Sequence, residues 1–275
     1  MFTAVAIGVL AGVGYVAHIA QGTINPCGRK PLISGGSSQV FAANGTRLGF
    51  FRSDVLRTPV NLSEIPRDLQ EATVSIEDQR FWKNDGVDPT GIFRAAVKDL
   101  TRGQTVQGGS TIAMQLMRNL YMRGGDTHTF KQKVEEAKMA LDYEKCHTHS
   151  EVLKAYLNSV PYGTVGGQTM IGVQAAARVL FDRPASQLDL AQAALLAGLP
   201  QAPSEYNPFH DAAAARKRRN EVLAKMAQLH YISASTAAAT EHAPLQVEHG
   251  TFYSQRREDF FFEYVREQLE RRYGK

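Results

Sequence analysis

Apolar and polar positions change their rhythm twice along the chain. Residues 1–20, MFTAVAIGVLAGVGYVAHIA, are apolar on every face. The stretch Gly22–Ser38 is rich in Gly, Pro and Ser and reads as a linker. Over Gln39–Arg52 two short apolar runs flank Asn44-Gly45, a dipeptide suited to the positive φ angles of a tight turn, and the pattern predicts a β-hairpin. From Pro66 the period becomes helical and stays so. Helices are predicted over Pro66–Lys83, Pro89–Arg102, Thr111–Met122, Phe130–Lys145, Glu151–Ser159, Gly172–Leu180, Leu190–Leu199, Ala212–His230, Ser233–Glu241 and Glu258–Tyr273. Asp88 before Pro89 gives an N-cap with proline at the first helical position. Ser110 and Ser150 are expected to cap the helices that begin at Thr111 and Glu151. No repeat of fixed period occurs. The prediction is an all-α domain behind an apolar segment and a small hairpin.

The apolar segment has the length of a bilayer span, which takes about 20 residues in a helix. Gly8, Gly12 and Gly14 weaken a soluble helix more than a membrane one. A cleaved signal peptide wants a basic start and small residues before the cut. Here the first basic residue is Arg29, and His18-Ile19-Ala20 makes a poor cleavage site. The reading is an uncleaved transmembrane anchor over residues 1–20.

Composition narrows the classes. The 275 residues are 43% hydrophobic and 21% charged, as in a globular protein with a substantial core. With 31 Lys+Arg against 27 Asp+Glu, the net charge of +4 fits phosphates or a membrane surface without demanding either. Cys27 and Cys146 are too few for a disulfide framework or a four-cysteine zinc site. Neither a Walker-type phosphate loop nor H-E-x-x-H occurs.

Three constellations carry candidate chemistry. In EDQRFWKNDGVDP, Glu77 and Phe81 fall four apart, with Asp78 one position round. An acid beside bulky aromatics at a helix end suits a carboxyl with a raised pKa, the need of a general base near neutral pH. In QGGSTIAMQLMRNLYM, Thr111, Gln115 and Arg118 form a polar stripe opposite Ile112, Leu116 and Leu120. Gly108-Gly109-Ser110 leads into that helix, whose start attracts anions. In FKQKVEEAKMALDYEK, Lys133 lies within a turn of Glu136, keeping it ionised and adding a cation for a phosphate. Each has an ordinary counterpart: a solvated acid pair beside core aromatics, a glycine turn before an amphipathic helix, and a surface ion pair worth tenths of a kcal/mol.

In this order, the three motifs resemble those of the bacterial peptidoglycan glycosyltransferases. These form the membrane-proximal domain of class A penicillin-binding proteins and also occur as monofunctional enzymes. EVLKAYLNSVPYG and LAQAALLAGLPQAPSEYNP resemble the two motifs that follow, and the likeness covers about Gln39–Pro208. It implies a lysozyme-like glycosyltransferase fold that polymerises lipid II, a disaccharide-pentapeptide on undecaprenyl diphosphate, into β-1,4 strands with inversion. By motif position, Glu77 is the implied general base, and Glu136 assists departure of the lipid diphosphate, directly or through a divalent cation (Mg or Mn). Ser110, Thr111, Gln115, Arg118 and Lys133 fall on positions that hold the donor, while Asp78 and Phe81 shape the site around the base. No dedicated protein metal site is implied. The implied partners are lipid II, the nascent glycan strand, the membrane and other cell-wall synthesis proteins, with no nucleic acid. The implied location is the bacterial inner membrane, single-pass, with the catalytic domain outside.

The chain also departs from the family. Asn84 stands where His is usual, and Ala113 and Met114 replace Thr and Gln. Gln132 stands for a basic residue, Gln192 for Glu and Asp182 for Gly. The expected organisation is an anchor at 1–20, linker and hairpin at 21–65, the transferase domain at 66–245, and a C-terminal segment at 246–275. That last segment resembles the lead into a transpeptidase domain, although S-x-x-K and K-T-G are absent from these residues. Arg216–Arg219 reads as a solvated or lipid-facing basic run, and Cys146, His147 and His149 as a loop rather than a zinc site. With both cysteines outside the cytoplasm a disulfide is allowed, but no pattern requires it. The polar stretch 101–109 is expected to be mobile without substrate. Two alternatives to the transferase are a lysozyme-like enzyme that cleaves finished glycan and a degenerate lipid II-binding scaffold.

Overall fold

A computed structural model of the chain describes residues 2–32, 35–91, 109–122 and 129–274, with side chains from Gly12 onward. It is mostly helical, with two small sheets. The helices are α1 Phe2–Gly22, α2 Arg67–Glu77, α3 Ile112–Tyr121, α4 Phe130–Glu144, α5 His149–Leu157, α6 Val173–Phe181, α7 Leu190–Gly198, α8 Ala212–Gln228, α9 Ala234–Glu241 and α10 Asp259–Tyr273. A further helix opens at Pro89, where the Asp88 carboxylate accepts from the Thr90 N–H at 3.1 Å. Its continuation to Arg102, and the stretch 101–108 expected to be mobile, lie outside the described residues. The apolar segment expected to be an anchor is helical in α1, and its side chains up to residue 11 also lie outside the description. Among the described residues, no helix is long and apolar enough to cross a membrane.

The chain divides into two compact units that it enters alternately, Met1–Ser34 with Thr73–Ser159 and Gly35–Ala72 with Val160–Lys275. In the first, α3 buries Ile112, Leu116 and Leu120 as the stripe predicts, and also Ala113, Met114 and Met117. Met139, Ala140 and Tyr143 of α4 and Val152, Leu153, Tyr156 and Leu157 of α5 are buried with them. The linker is partly tied down. The Leu32 N–H donates to the Leu120 carbonyl at 2.8 Å, satisfying a group the end of α3 leaves open. Cys27 and Cys146 are joined in a disulfide, with their Cα atoms 6.2 Å apart.

The second unit holds the hairpin, β1 Gln39–Phe41 against β2 Arg47–Phe50. Its turn uses Gly45 at φ +81°, while Asn44 acts through its side chain, accepting from the Thr46 N–H at 3.0 Å. A three-stranded sheet, absent from the all-α expectation, is ordered β3 Val55–Arg57, β5 Gln168–Ile171, β4 Pro161–Val165. β4 and β5 are antiparallel and joined by Gly166-Gly167, both at positive φ, as a two-residue hairpin turn requires. β3 pairs parallel to β5.

The basic run of α8 is half interior, contrary to a solvated or lipid-facing reading. Arg219 is buried and donates to the carbonyls of Glu241 and Ala243, at the end of α9, while Arg218 donates to the Gly198 carbonyl ending α7. Both guanidinium groups thus answer helix C-termini. Residues 248–257 fold back within this unit: the Gly250 N–H meets the Val179 carbonyl, and Tyr253 packs on Phe50 with ring centroids 4.8 Å apart.

Candidate active site

The candidate residues gather in the first unit, around the ends of α2, α3 and α4. Helix α2 stops at Glu77 instead of running on to Lys83. The cause is Asp78, whose carboxylate accepts from the Arg80 N–H at 3.2 Å, from the Ile112 N–H at 3.3 Å, and from the Asn84 amide with both oxygens at 3.1 and 3.2 Å. The chain turns sharply there and enters a single 3-10 turn, Phe81–Lys83. Glu77 and Phe81 therefore do not share a helix face. Phe81 is fully buried, edge-on to Trp82 and to the His149 imidazole.

That turn is clamped from two sides. Gly86 takes φ +93°, and a Cβ there would lie 2.7 Å from the Ala140 carbonyl oxygen, so only glycine fits. The Thr111 hydroxyl donates to the Gly86 carbonyl at 2.6 Å and accepts from the Met114 N–H as the N-cap of α3. Thr111, not Ser110, is the cap, and it is 4% exposed. Thr148, not Ser150, caps α5, in a reciprocal pair with Glu151. The start of α3 is also less open to an anion than its glycines imply. Asp78 already occupies the Ile112 N–H, and Thr111 occupies that of Met114.

The polar stripe of α3 meets the two glutamates. The Gln115 amide donates to Glu77 Oε2 at 2.7 Å, and Arg118 Nε lies 3.1 Å from Glu136 Oε1. Gln115 and Arg118 are three apart, neighbours on one helix face. Glu77 is half-buried and Glu136 only 5% exposed, whereas the Arg118 side chain is 39% exposed. Lys133, one turn before Glu136 on α4, donates to the Ser110 hydroxyl. Arg118 is thus a cation on Glu136, and Lys133 donates to the turn before α3. Of the nine candidate residues, Glu77, Ser110, Gln115, Arg118, Lys133 and Glu136 form this polar constellation. Asp78, Phe81 and Thr111 turn inward and build its frame.

Burial pushes the Asp78 carboxyl up, while its three donors pull it down. Glu144, half-buried at the end of α4, is raised to about 7, first by burial and then by the charges of Asp78 and Asp85, with His149 opposing. His149 Nε2 lies 3.4 Å from Glu144 and 2.9 Å from the Asn84 carbonyl.

Two participants escape the motif reading. Asn84 is legible only as a departure, yet its amide is bonded to both oxygens of Asp78. Tyr156 sits in the apolar stripe of α5 and donates to Gln115 Oε1 at 3.1 Å. The available signal is a tyrosine at a core position, whose hydroxyl needs a partner. The departure at Gln192 is benign: it is the third residue of α7 and completes a capping box with Asp189, a place that accepts Glu or Gln. Asp182 ends α6 in the left-handed conformation that glycine usually supplies and accepts from the Thr251 N–H at 3.1 Å. Lys131 pairs with Glu135 at 3.8 Å and does not replace a cation at Gln132.

Two carboxylates are thus met from one helix face, with the cations Arg118 and Lys133 alongside. Comparison with known proteins gives the family. A model described as transglycosylase matches residues 44–227. The chain is 35% identical over 238 residues to penicillin-binding protein 1A of Aquifex aeolicus, an alignment covering 86% of this chain and 32% of that protein. It is 35% identical over 236 residues to penicillin-binding protein 1A of Escherichia coli, covering 86% and 27%. Among solved structures, penicillin-binding protein 1A from Haemophilus influenzae aligns with TM-score 0.47 and 23% identity, over 90% of this chain and 26% of that one. The chain therefore spans about a third or less of these relatives. It belongs to the transglycosylase family.

Proposed function

We propose that the chain is a peptidoglycan glycosyltransferase that polymerises lipid II into β-1,4 strands with inversion and releases undecaprenyl diphosphate. The observation that carries this reading is the pair Gln115 and Arg118, which hold Glu77 and Glu136 from one face of α3. An inverting displacement needs its two carboxyl groups about 6.5–9.5 Å apart in glycosidases, so that the attacking group fits between them. Residues one helical turn apart with long side chains are suited to hold such a gap.

Glu77, aimed by the Gln115 N–H, takes the proton from the acceptor 4-hydroxyl. As that oxygen bonds to the anomeric carbon, the bond from this carbon to the diphosphate oxygen breaks. Negative charge builds on the diphosphate, and Arg118 and Lys133 are the cations placed to meet it. Glu136 orients Arg118 for that task. Ser110, bonded to Lys133, offers a hydroxyl at the same place. Among the described residues, no three of His, Cys, Asp and Glu gather to hold a metal ion, and Glu136 already has Arg118 on it.

The same reading places the protein in the cell envelope, anchored to the inner membrane by α1, with the domain over residues 66–245 outside the cytoplasm. There it would meet its lipid-linked substrate, the growing strand and other cell-wall synthesis proteins. The Cys27–Cys146 disulfide supports an oxidising compartment.

Lipid II in detergent tests the activity. Polymer resolved on a gel is the expected product. Release of muropeptides from purified sacculi without polymer would belong to a glycan-cleaving enzyme. Lipid II binding with neither product would belong to a scaffold.

A further inference from the structure

We infer that Tyr156 is a positioning residue for Glu77, acting through Gln115. The inference rests on the assignment of Glu77 as the base. An amide side chain has one donor end and one acceptor end, and only the NH2 end satisfies an ionised carboxylate. Turned over, Gln115 would set its oxygen against Glu77 Oε2, two acceptors in contact. The backbone of α3 does not choose between the two orientations. Tyr156 does: its phenol donates to Gln115 Oε1 at 3.1 Å while Gln115 Nε2 donates to Glu77 Oε2 at 2.7 Å. Hydroxyl, amide and carboxylate make a one-way chain of donors ending on the base.

Tyr156 is fully buried, so it reaches no substrate and acts only through what it holds. Once Glu77 has taken a proton, the preference weakens. A protonated Glu77 can donate to the amide oxygen, and the phenol can accept from the amide nitrogen. The Tyr156–Gln115 arrangement therefore favours the ionised form of Glu77, the form that starts each transfer.

The test uses the full chain as wild type, Tyr156→Phe, Gln115→Ala and the double variant. Tyr156→Phe keeps the ring in the core and removes only the donor. A hydrogen bond of ordinary net strength corresponds to about a tenfold effect. The expectation is a fall in kcat of about tenfold with KM for lipid II unchanged, and an acid limb of the pH profile moved to higher pH. In the Gln115→Ala background, Tyr156→Phe should change nothing further. A second readout needs no turnover: the Glu77 carboxyl carbon, followed by NMR through a pH titration, should show a higher midpoint in Tyr156→Phe than in wild type. An unmoved Glu77 midpoint would overturn the inference, as would equal effects of Tyr156→Phe with and without Gln115. A raised midpoint in a protein that forms no polymer would uphold the positioning role and reject the polymerase reading instead.

Discussion

Asn84 and Asp78 show how much one side chain settles in this unit. Asp78 is 7% exposed, and its charge is supported by a single amide bonded to both oxygens and by two backbone N–H groups. Asn84→Ala leaves buried acceptors short of partners, which costs about 1–3 kcal/mol. The expected outcome is an unfolding free energy lower by that amount in a denaturant titration, with the turn before α3 loosened and polymerisation reduced. Glu144 gives a pH-dependent prediction. Its carboxyl titrates near 7 in the folded chain, against an ordinary 4.5, because it is buried and near Asp78 and Asp85. The folded state holds that proton where the unfolded state has lost it. Stability from this group is complete below about pH 4.5 and is lost as pH rises to about 7. Glu144→Gln should therefore melt progressively higher than wild type as pH rises across that window, with the gap constant above it. A gap that stays the same from pH 4.5 to 8 would contradict the buried, proton-holding carboxyl.

At the scale of elements, the helices were legible and their ends less so. Every predicted helix whose span is described is present, because burial of one face at period 3.6 is written along the whole segment. Ends depend on one side chain each. Thr111 displaces Ser110 as cap because its hydroxyl also reaches Gly86, and α2 stops at Glu77 because Asp78 spends its carboxylate on backbone ahead of it. The β4–β5 hairpin carried a readable signal, Gly166-Gly167 between Thr164-Val165 and Gln168-Thr169. Its parallel partner β3 did not, since that pairing joins residues more than a hundred positions apart. The disulfide lay between, permitted by compartment but decided by the packing that brings Cys27 to the end of α4. Closing a loop of 119 residues, it constrains the unfolded chain strongly, and Cys146→Ser should cost about 2–5 kcal/mol in a denaturant titration under oxidising conditions. Equal midpoints for variant and wild type would mean that the bond does not form in solution.

For the molecule as a whole, chemistry and framework are unequally shared. Every candidate site residue falls within Thr73–Ser159 of one unit, while the family match runs over 44–227 and so includes much of the other. The motifs named Glu77, Glu136, Gln115, Arg118 and Lys133, and the fold brings these side chains together. Which cation serves which acid was not legible in the sequence, because Lys133 and Glu136 share a helix face on paper while the side chain that reaches Glu136 comes from α3. The account therefore predicts unequal losses: Arg118→Ala should reduce polymerisation more than Lys131→Ala, whose partner Glu135 is a surface neighbour.

The central claim is that Glu77 is the base of an inverting sugar transfer. It is tested most directly by the rate of lipid II polymerisation for wild type and Glu77→Gln, on protein of matched melting temperature. Loss of a positioned general base lowers the rate by about 10²–10⁴-fold, and that loss is the predicted result. Polymer formed by Glu77→Gln at the wild-type rate would contradict the account.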